Sequence, residues 1–294
     1  LELGSRRVPQ VLVNGRLSDR SFAAWKRRSY LAEALFENLS HVVAQSEIDG
    51  QRFAELGARP VTVSGNLKVD TTPPPANQQE FENLKASIAG RPVWAAVSTH
   101  DGEEDIAGDV HNLVESRHAG LLTIIVPRHP DRAPAIVSLL KAKGLNVARR
   151  SAGEAITDET QVYLGDTIGE MGLYLRLTEI AFVGRSLTST GGQNPLEPAA
   201  LETAVLAGPN VQNFRDSYKR LIDDGNARLV KDKEMLAAGV SYLLGNEPVR
   251  RKMMEAGVAA VTAMQGSLAK TMATLEPYIQ PLVVKAGLDR LTGK

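Results

Sequence analysis

The sequence predicts an α/β protein in which two Rossmann-like domains with parallel sheets face each other across a cleft. Short β-branched runs alternate with helical stretches along the chain, as in parallel strands joined by right-handed crossovers. The alternation stops at residues 71–76, which include three consecutive prolines, and then starts again. Consecutive prolines can continue neither a helix nor a sheet, so this segment predicts a stiff connector. A length of 294 residues also suits two domains.

The first block contains three short apolar strands separated by helical stretches. Strands are expected at 8–13, 41–44 and 61–63, and helices at about 22–39 and 46–57. Ser46 followed by Asp49 is an approximate capping box, which favours a helix that begins after Ser46. The third strand leads into a loop that carries Lys68.

The second block repeats the alternation over a longer stretch. Strands are expected at 93–97, 121–126, 146–148, 162–164, 180–183, 205–207 and 228–230. Helices are expected at about 78–88, 104–117, 132–143, from 166–170, from 195, at 214–224, from 233, at 249–275 and at 282–291. This order predicts a second parallel sheet.

Polar segments follow several of these strands directly. They are Lys68, Ser98–Glu104, Arg128–His129, Thr167–Glu170 and Gly191–Glu197. Ligands of open parallel sheets bind beyond the carboxyl ends of the strands. The coincidence therefore predicts one ligand crevice lined by these segments.

The segment from Gly184 to Ala200 is the most distinctive of them. A strand ending at Val183 runs into a glycine-rich turn and then into a helix, with Asn194 expected as the N-cap and Pro195 as the first helical residue. Gly191 and Gly192 allow positive φ or a close approach to the backbone. Glu197 lies in the first turn, where free amides favour an anion. A capped helix after a flexible loop explains part of this pattern, and a nucleotide-sugar cradle explains all of it.

Each remaining polar segment has a structural and a functional interpretation. Arg128 is either part of a charged turn or a guanidinium presented to phosphate by a proline-stiffened loop. The Ser98–Glu104 segment is a helix start whose free amides can also hold an anion. Lys68 is either solvated or stabilises charge that develops across the cleft. Thr167 to Gly169 offer backbone groups that can contact the edge of a base.

Composition and missing motifs exclude several functional classes. Lys plus Arg and Asp plus Glu balance at 34 each, so no overall field favours nucleic acid. The absence of cysteine excludes disulfides and thiolate metal sites. The apolar runs are strand-sized, well short of the roughly 20 residues of a membrane span. The sequence contains neither a dinucleotide fingerprint nor a P-loop, and no H-E-x-x-H or G-x-S-x-G motif.

Residues 1–30 carry a local surplus of positive charge. Seven basic side chains stand against only Glu2 and Asp19, and they are Arg6, Arg7, Arg16, Arg20, Lys26, Arg27 and Arg28. A solvated face and a surface for an anionic partner explain the surplus equally well. The chain begins at Leu1, in what looks like a helix end before a strand, so we expect a fragment of a longer protein.

One segment closely resembles a known family signature. Gly191-Gly-Gln-Asn-Pro-Leu-Glu-Pro198 is similar to the G-G-H-N-P-L-E-P block of bacterial 3-deoxy-D-manno-octulosonic acid (Kdo) transferases of lipopolysaccharide synthesis. Further blocks resemble the family in family order, at Val13–Ser21, Gly65–Lys68, Ser98–Glu104, Pro127–Pro130 and Gly165–Glu170. The resemblance covers essentially the whole chain.

The resemblance implies a GT-B fold and transfer of Kdo from CMP-Kdo to a lipid A precursor, at the cytoplasmic side of the bacterial inner membrane. It implies no metal and no cofactor beyond the donor substrate. By similarity, the CMP-binding residues would be Pro127, Arg128, Thr167, Ile168, Gly169, Asn194, Pro195, Leu196 and Glu197. Lys68 would stabilise the charge of the transition state.

The sequence departs from the family pattern in two ways. Gln193 stands where the usual residue is His, which leaves the glycine turn and Asn194 intact. The family's membrane anchor and general-base Glu lie upstream of the point that matches Leu1, so we expect an incomplete first domain and assign no catalytic base. Glu103, Glu104 and Glu197 are poor substitutes, because their places suit helix starts and donor binding.

The sequence predicts three regions. Residues 1–76 are expected to be the remainder of the acceptor-side domain with its linker, and residues 77–275 the nucleotide-sugar donor domain. Residues 276–294 are expected to form a helix that packs back on the first domain. The alternatives are a UDP-sugar transferase or epimerase of the same fold, and a nucleotide-binding fragment without turnover.

Overall fold

Parallel strands form two separate sheets in this chain, one of three strands and one of seven. The structure, a computed structural model, describes the backbone of residues 8–70 and 73–292 and the side chains of residues 8–70 and 73–284. The predicted helix end at Leu1, the basic residues Arg6 and Arg7, and Thr71 of the linker lie outside the described residues. Residues 1–71 and 264–294 form a first unit, and residues 72–263 form a second. The predicted α/β class with parallel sheets is confirmed in both units.

The first unit alternates strands and helices before the linker. Its elements are β1 (Val11–Gly15), α1 (Asp19–Lys26), α2 (Ser29–Phe36), β2 (His41–Ala44), α3 (Glu47–Glu55) and β3 (Val61–Val63). The strands pair in parallel in the order β1-β2-β3. Phe36 packs edge-on against Trp25 and Phe53, with ring centroids 5.5 and 5.7 Å apart. This aromatic chain joins the three helices to one another.

Two helices replace the single helix expected at 22–39. Ser18 caps α1 by accepting a hydrogen bond from the Ser21 amide at 3.2 Å. Arg28 then leaves the helical region, with φ −122° and ψ 44°, and α2 begins at Ser29. The turn lets Ala32 and Phe36 reach the core while α1 buries no side chain completely. The helix after Ser46 begins as predicted, because the Ser46 hydroxyl accepts from the Asp49 amide.

The second unit carries the larger sheet. Its elements are α4 (Gln78–Ile88), β4 (Val93–Thr99), α5 (Glu103–Glu115), β5 (Leu122–Pro127), α6 (Ala133–Ala142), β6 (Val147–Arg149), β7 (Val162–Leu164), α7 (Met171–Arg176), β8 (Ile180–Val183), α8 (Leu196–Ala200), β9 (Ala204–Ala207), α9 (Arg215–Asp223), β10 (Ala227–Leu229), α10 (Lys233–Gly245) and α11 (Glu247–Met264). One further helix, α12 (Ser267–Thr292), belongs to the first unit.

The order of the seven strands places a winding reversal next to β4. The order is β10-β9-β8-β4-β5-β7-β6, and all pairs are parallel. The chain first adds strands on one side of β4 and then continues on the other side with β8. Trp94, Ile125 and Phe182 of the central strands are buried, as expected for a parallel sheet covered on both faces. The gap between β4 and β8 is therefore the topological switch point, where ligands of such sheets bind.

The end of the chain differs from the predicted helices at 249–275 and 282–291. The break falls at Gly266, which has φ +100° and donates its amide to the Asp70 carboxylate at 2.7 Å. Pro277 and Pro281 then lie inside the single helix α12. Tyr278 on this helix donates its hydroxyl to the Ser40 carbonyl at 2.9 Å. These contacts hold α12 to the first unit despite its prolines.

The unit boundaries differ from the expected limits at 76/77 and 275/276. They fall at 71/72 and 263/264. The proline segment belongs to the second unit, since the Pro74 carbonyl accepts from Arg176 of α7 at 2.8 Å. Thr271 of α12 donates to the Ser64 hydroxyl at 3.1 Å, so α12 belongs to the first unit from its first turns. Within the described residues, no helix combines the length and the apolar character needed to cross a bilayer.

The contact between the proline segment and α7 leads to a stability prediction. A Cβ added to Gly172 would lie 2.2 Å from the Pro74 carbonyl oxygen. Gly172→Ala is therefore expected to destabilise the protein by about 1–3 kcal/mol, because backbone must move. Gly239→Ala in α10 is the matched control, since its Cβ would meet only Leu206, at 3.5 Å, and Ala favours helix. Urea unfolding midpoints measure both effects, and equal midpoints would contradict the prediction.

Candidate functional site

Four loops with polar side chains leave the same edge of the seven-stranded sheet. They follow β7, β5, β4 and β8, which are neighbours in that order. The register pairs Thr99 with Pro127 and Val97 with Val183, so the ends of β5, β4 and β8 are level. Neighbouring strands lie about 4.8 Å apart, so the loops after β5 and β8 start roughly 10 Å from each other. The predicted segments 127–128, 167–169 and 194–197 thus share one edge.

Arg128 presents its guanidinium at this edge. Pro127 is the buried last residue of β5, and the Arg128 amide donates to the Thr99 carbonyl at 3.0 Å. The Arg128 side chain is exposed and makes no hydrogen bond or ion pair to the described residues. Arg132, one turn further on, is instead paired with the buried Glu104 at 2.8 Å. The backbone is anchored while the charge of Arg128 remains available to a ligand.

The loop after β7 exposes backbone rather than side-chain donors. The Thr167 hydroxyl donates to Glu170 and lies 2.9 Å from the Tyr174 hydroxyl. Ile168 is 90% exposed, and Gly169 has φ +87° with open space around its Cα. The six-residue helix α7 begins at Met171, one residue after the expected start at 166–170. Contacts to a base at this loop would therefore involve the backbone of Ile168 and Gly169.

Two acidic side chains hold that loop in place. The Asp166 carboxylate accepts hydrogen bonds from the Ser151 amide and hydroxyl, at 2.8 and 2.6 Å, and from Arg149. Burial alone raises the pKa of Asp166, but these donors outweigh it and keep the pKa below its ordinary value. Glu170 accepts from Arg150 at 2.7 Å, and this contact lowers the pKa of Glu170. Both groups are structural carboxylates.

The paired glycines after β8 serve the packing of the chain on itself. Gly191 has φ +120° and Gly192 φ +72°, values that favour glycine. A Cβ on Gly191 would lie 2.5 Å from Asn213, and one on Gly192 would lie 2.9 Å from the Cα of Val211. The close approach that the sequence indicated is thus made by residues 211–213.

Asn194 organises the start of α8. Its Oδ1 accepts from the Leu196 amide at 3.1 Å, and its Nδ2 donates to Glu197 at 3.1 Å. The helix begins at Leu196 with Pro195 as the capping position, one residue later than predicted, although the Asn194 side chain still makes the expected capping bond. Since α8 has only five residues, its dipole contributes less than expected at Glu197. The half-buried Glu197 makes no other side-chain bond to the described residues.

A buried carboxylate joins the loops after β4 and β8. Glu103, 1% exposed, accepts four backbone amides, from His100 at 2.9 Å, Arg185 at 2.6 Å, Ser186 at 2.9 Å and Leu187 at 3.0 Å. The three consecutive amides after β8 form an anion-binding nest, and the carboxylate fills it. The sequence showed only an acidic residue at a helix start, because three of its four amide partners lie more than 80 residues away.

Two histidines beside Arg128 lie in segments predicted to line the crevice, but neither was assigned a role of its own. The rings of His100 and His129 meet edge to face, with centroids 5.7 Å apart. His100 Nδ1 lies 3.1 Å from the Ser98 carbonyl, an acceptor, so Nδ1 carries the hydrogen. Their place at the ends of the neighbouring strands β4 and β5 was predicted, whereas their contact with each other appears only in the fold.

Lys68 lies in the first unit, in the short 3-10 helix Leu67–Asp70. Its side chain is exposed, and its amide donates to Asn66 Oδ1 at 3.1 Å. Its role stays a prediction, as does the predicted cleft between the domains. Within residues 8–70 and 73–284, no group of three His, Cys, Asp or Glu side chains is placed to hold a metal ion.

Comparison with known proteins identifies the family. Residues 1–71 match the family model described as 3-deoxy-D-manno-octulosonic-acid transferase (kdotransferase). A 3-deoxy-D-manno-octulosonic acid transferase of Haemophilus influenzae is 32% identical over 283 residues, which cover 95% of this chain and 66% of that protein. The chain belongs to the Kdo transferase family.

One of two solved structures compared with the chain agrees with this membership, and the other shares only the fold. The C-terminal CMP-Kdo binding domain of WaaA from Acinetobacter baumannii is 28% identical, with a TM-score of 0.59, and the match covers 62% of this chain and 96% of that domain. A putative UDP-N-acetylglucosamine 2-epimerase from Listeria monocytogenes, only 16% identical, has a TM-score of 0.61 over 95% of this chain and 70% of its own. The second match shows the GT-B type of fold alone. The chain spans about two thirds of the length of its Haemophilus relative.

The depressed pKa of Asp166 predicts an acid-dependent loss of stability. The ionised Asp166 makes its full contribution to the free energy of unfolding above the unfolded-state pKa of about 3.9. This contribution is lost as the pH falls through the lower folded-state pKa. At pH 7, Asp166→Asn should lower the free energy of unfolding by about 1–3 kcal/mol. The melting temperatures of the variant and the wild type should converge as the pH falls towards 3. Asp131→Asn, at an exposed side chain without a hydrogen bond to the described residues, is the control. A constant difference from pH 7 to pH 3 would refute the assignment.

Proposed function

We propose that this protein is a glycosyltransferase that moves Kdo from CMP-Kdo to a lipid A precursor in lipopolysaccharide biosynthesis. The observation that carries the proposal is the similarity to a domain described as CMP-Kdo binding, 28% identical over 96% of its length. The cluster of polar loops at one edge of the same kind of sheet supports it.

Arg128 would hold the phosphate of the donor. Its exposed guanidinium has no partner among the described residues, and its loop is anchored to β4 through the Thr99 carbonyl. A guanidinium presents donors in a planar fork that fits two phosphate oxygens. The phosphate charge grows as CMP leaves, so a preorganised cation at this point lowers the barrier of the transfer.

The nucleoside would lie between the loops after β7 and β8. The exposed backbone of Ile168 and Gly169 next to Thr167 suits contacts to the edge of the cytosine. The Glu197 carboxylate, oriented by Asn194, would accept hydrogen bonds from ribose hydroxyls. Pro195 and Leu196 are buried and keep Glu197 at the start of α8.

The reaction forms a bond between an acceptor hydroxyl oxygen and the anomeric carbon of Kdo. The bond from that carbon to the phosphate oxygen breaks, and CMP leaves with the electron pair. The hydroxyl proton passes to a general base that we do not assign to any residue of this chain. Lys68 would stabilise the developing negative charge, and no metal or further cofactor takes part.

The acceptor and the membrane would meet the first unit. Arg27 and Arg28 are exposed, and the neighbouring Tyr30 and Leu31 are 82% and 57% exposed. Basic and apolar side chains together suit an anionic lipid surface, in keeping with a place at the cytoplasmic face of the inner membrane.

Binding to anionic vesicles should fall as salt rises from low to physiological concentration, and salt-insensitive binding would argue against this surface.

The decisive test supplies CMP-Kdo and a lipid A precursor and follows Kdo-lipid and CMP by mass spectrometry. Formation of both products supports the proposal. Binding of CMP-Kdo without product would favour a nucleotide-binding module. A larger rise in melting temperature with UDP than with CMP would favour a UDP-sugar transferase or epimerase.

Arg128→Ala should weaken CMP binding by about 1.5–3 kcal/mol, roughly 10- to 150-fold, because a charged hydrogen bond is lost. Arg117→Ala is the matched control, since this exposed arginine lies far from the proposed CMP site. It follows α5, whose 13 residues lead about 20 Å away from the edge of the sheet that carries Arg128. Isothermal titration with CMP measures both variants. Unchanged affinity of the Arg128 variant would remove this residue from the site.

A further inference from the structure

The anion nest after β8 lies at the switch point of the sheet, between β4 and β8. In many α/β folds, free backbone amides at this position hold a phosphate. Here the amides of Arg185, Ser186 and Leu187 all point to the Glu103 carboxylate. An internal anion therefore occupies the place where an external one binds in such sheets.

The surrounding backbone is built tightly around that carboxylate. Ser98 and Arg185, at the ends of the adjacent strands β4 and β8, have φ +53° and +56°, which non-glycine residues rarely adopt. Gly184 leaves no space, since a Cβ there would lie 2.5 Å from the Ser98 carbonyl oxygen and 2.7 Å from Glu103 Oε2. Strained residues of this kind gather at functional sites. The carboxylate cannot move aside without a shift of both loops.

We propose that Glu103 is a specificity-determining residue that restricts the donor site to nucleotides with a single phosphate. This inference rests on the proposed function and deepens it. One phosphate is held by Arg128 at the end of β5, next to β4. A second phosphate that extended towards the nest would meet a like charge and amides that are already engaged.

Electrostatics favours this interpretation. The Glu103 carboxylate is almost completely buried, so water screens its charge poorly. The four backbone amides that donate to the Glu103 carboxylate have no further hydrogen bond to offer a diphosphate. Nearby, Glu104 is neutralised by Arg132, with a 2.8 Å contact, whereas no cation pairs with Glu103 among the described residues. Like charges brought together in this way weaken binding.

The first test compares nucleotides on the wild-type protein. Isothermal titration with CMP and CDP should show CMP bound at least about 10-fold more tightly, although CDP carries more charge. CDP affinity equal to or higher than CMP affinity would overturn the inference without any variant. Failure of the proposed function has a different signature, in which CMP binds no better than cytidine or UMP.

The second test removes the negative charge with a side chain of nearly the same size, and because the Gln amide then faces two backbone donors, folding of the variant is checked first. In Glu103→Gln the preference for CMP over CDP should shrink to about 3-fold or less, because the repulsion is gone. Glu234→Gln, an exposed first-turn glutamate of α10, is the matched control and should keep the wild-type ratio. A folded Glu103→Gln protein with the wild-type ratio would show that the carboxylate is only structural. If this variant does not fold, a CDP affinity equal to or above the CMP affinity in the wild-type protein still overturns the inference.

Discussion

The buried carboxylate of Glu103 is the constraint on which the candidate site depends. It collects amides from the loops after β4 and β8, the two strands between which the winding of the sheet reverses. A buried charge that loses any of these partners is left unsatisfied, at a cost of several kcal/mol. The two loops therefore behave as one body. The loop after β5, which carries Arg128, is attached to these two loops by the hydrogen bond from the Arg128 amide to the Thr99 carbonyl.

A second set of carboxylates does the same for the loop after β7. Asp166 and Glu170 are tied to Arg149 and Arg150, and they hold Thr167 in a closed network. The backbone of residues 168–169 and the Arg128 guanidinium remain exposed beside this network. Acidic side chains thus give the edge of the sheet its shape, while a cation and backbone groups face solvent. This division suits a phosphorylated ligand, because buried acids organise the loops and an exposed base attracts the anion.

Local patterns predicted most of the framework. The strands at 41–44, 61–63 and 162–164 and the helix at 78–88 lie where the apolar runs and caps indicated. The loop after β8 contains the predicted glycine turn and the capping role of Asn194. The errors lie at helix interruptions. The break at Arg28 and the continuation of α12 through Pro277 depend on packing against distant segments, which local propensity does not include.

The sequence by itself determined the alternation of strands and helices and the parallel sheets, because these follow from periodicity. It also determined the edge at which Arg128, Thr167 and Asn194 lie, because parallel strands all end at the same edge of their sheet. Only the tertiary structure decided how the acidic residues are used. Glu103 differs from an ordinary first-turn glutamate solely through amides more than 80 residues away. Likewise, the paired glycines looked open to a ligand, and the fold filled the space beside them with residues 211–213. Such contacts join segments distant in sequence, and they arise only once the sheet has aligned its loops.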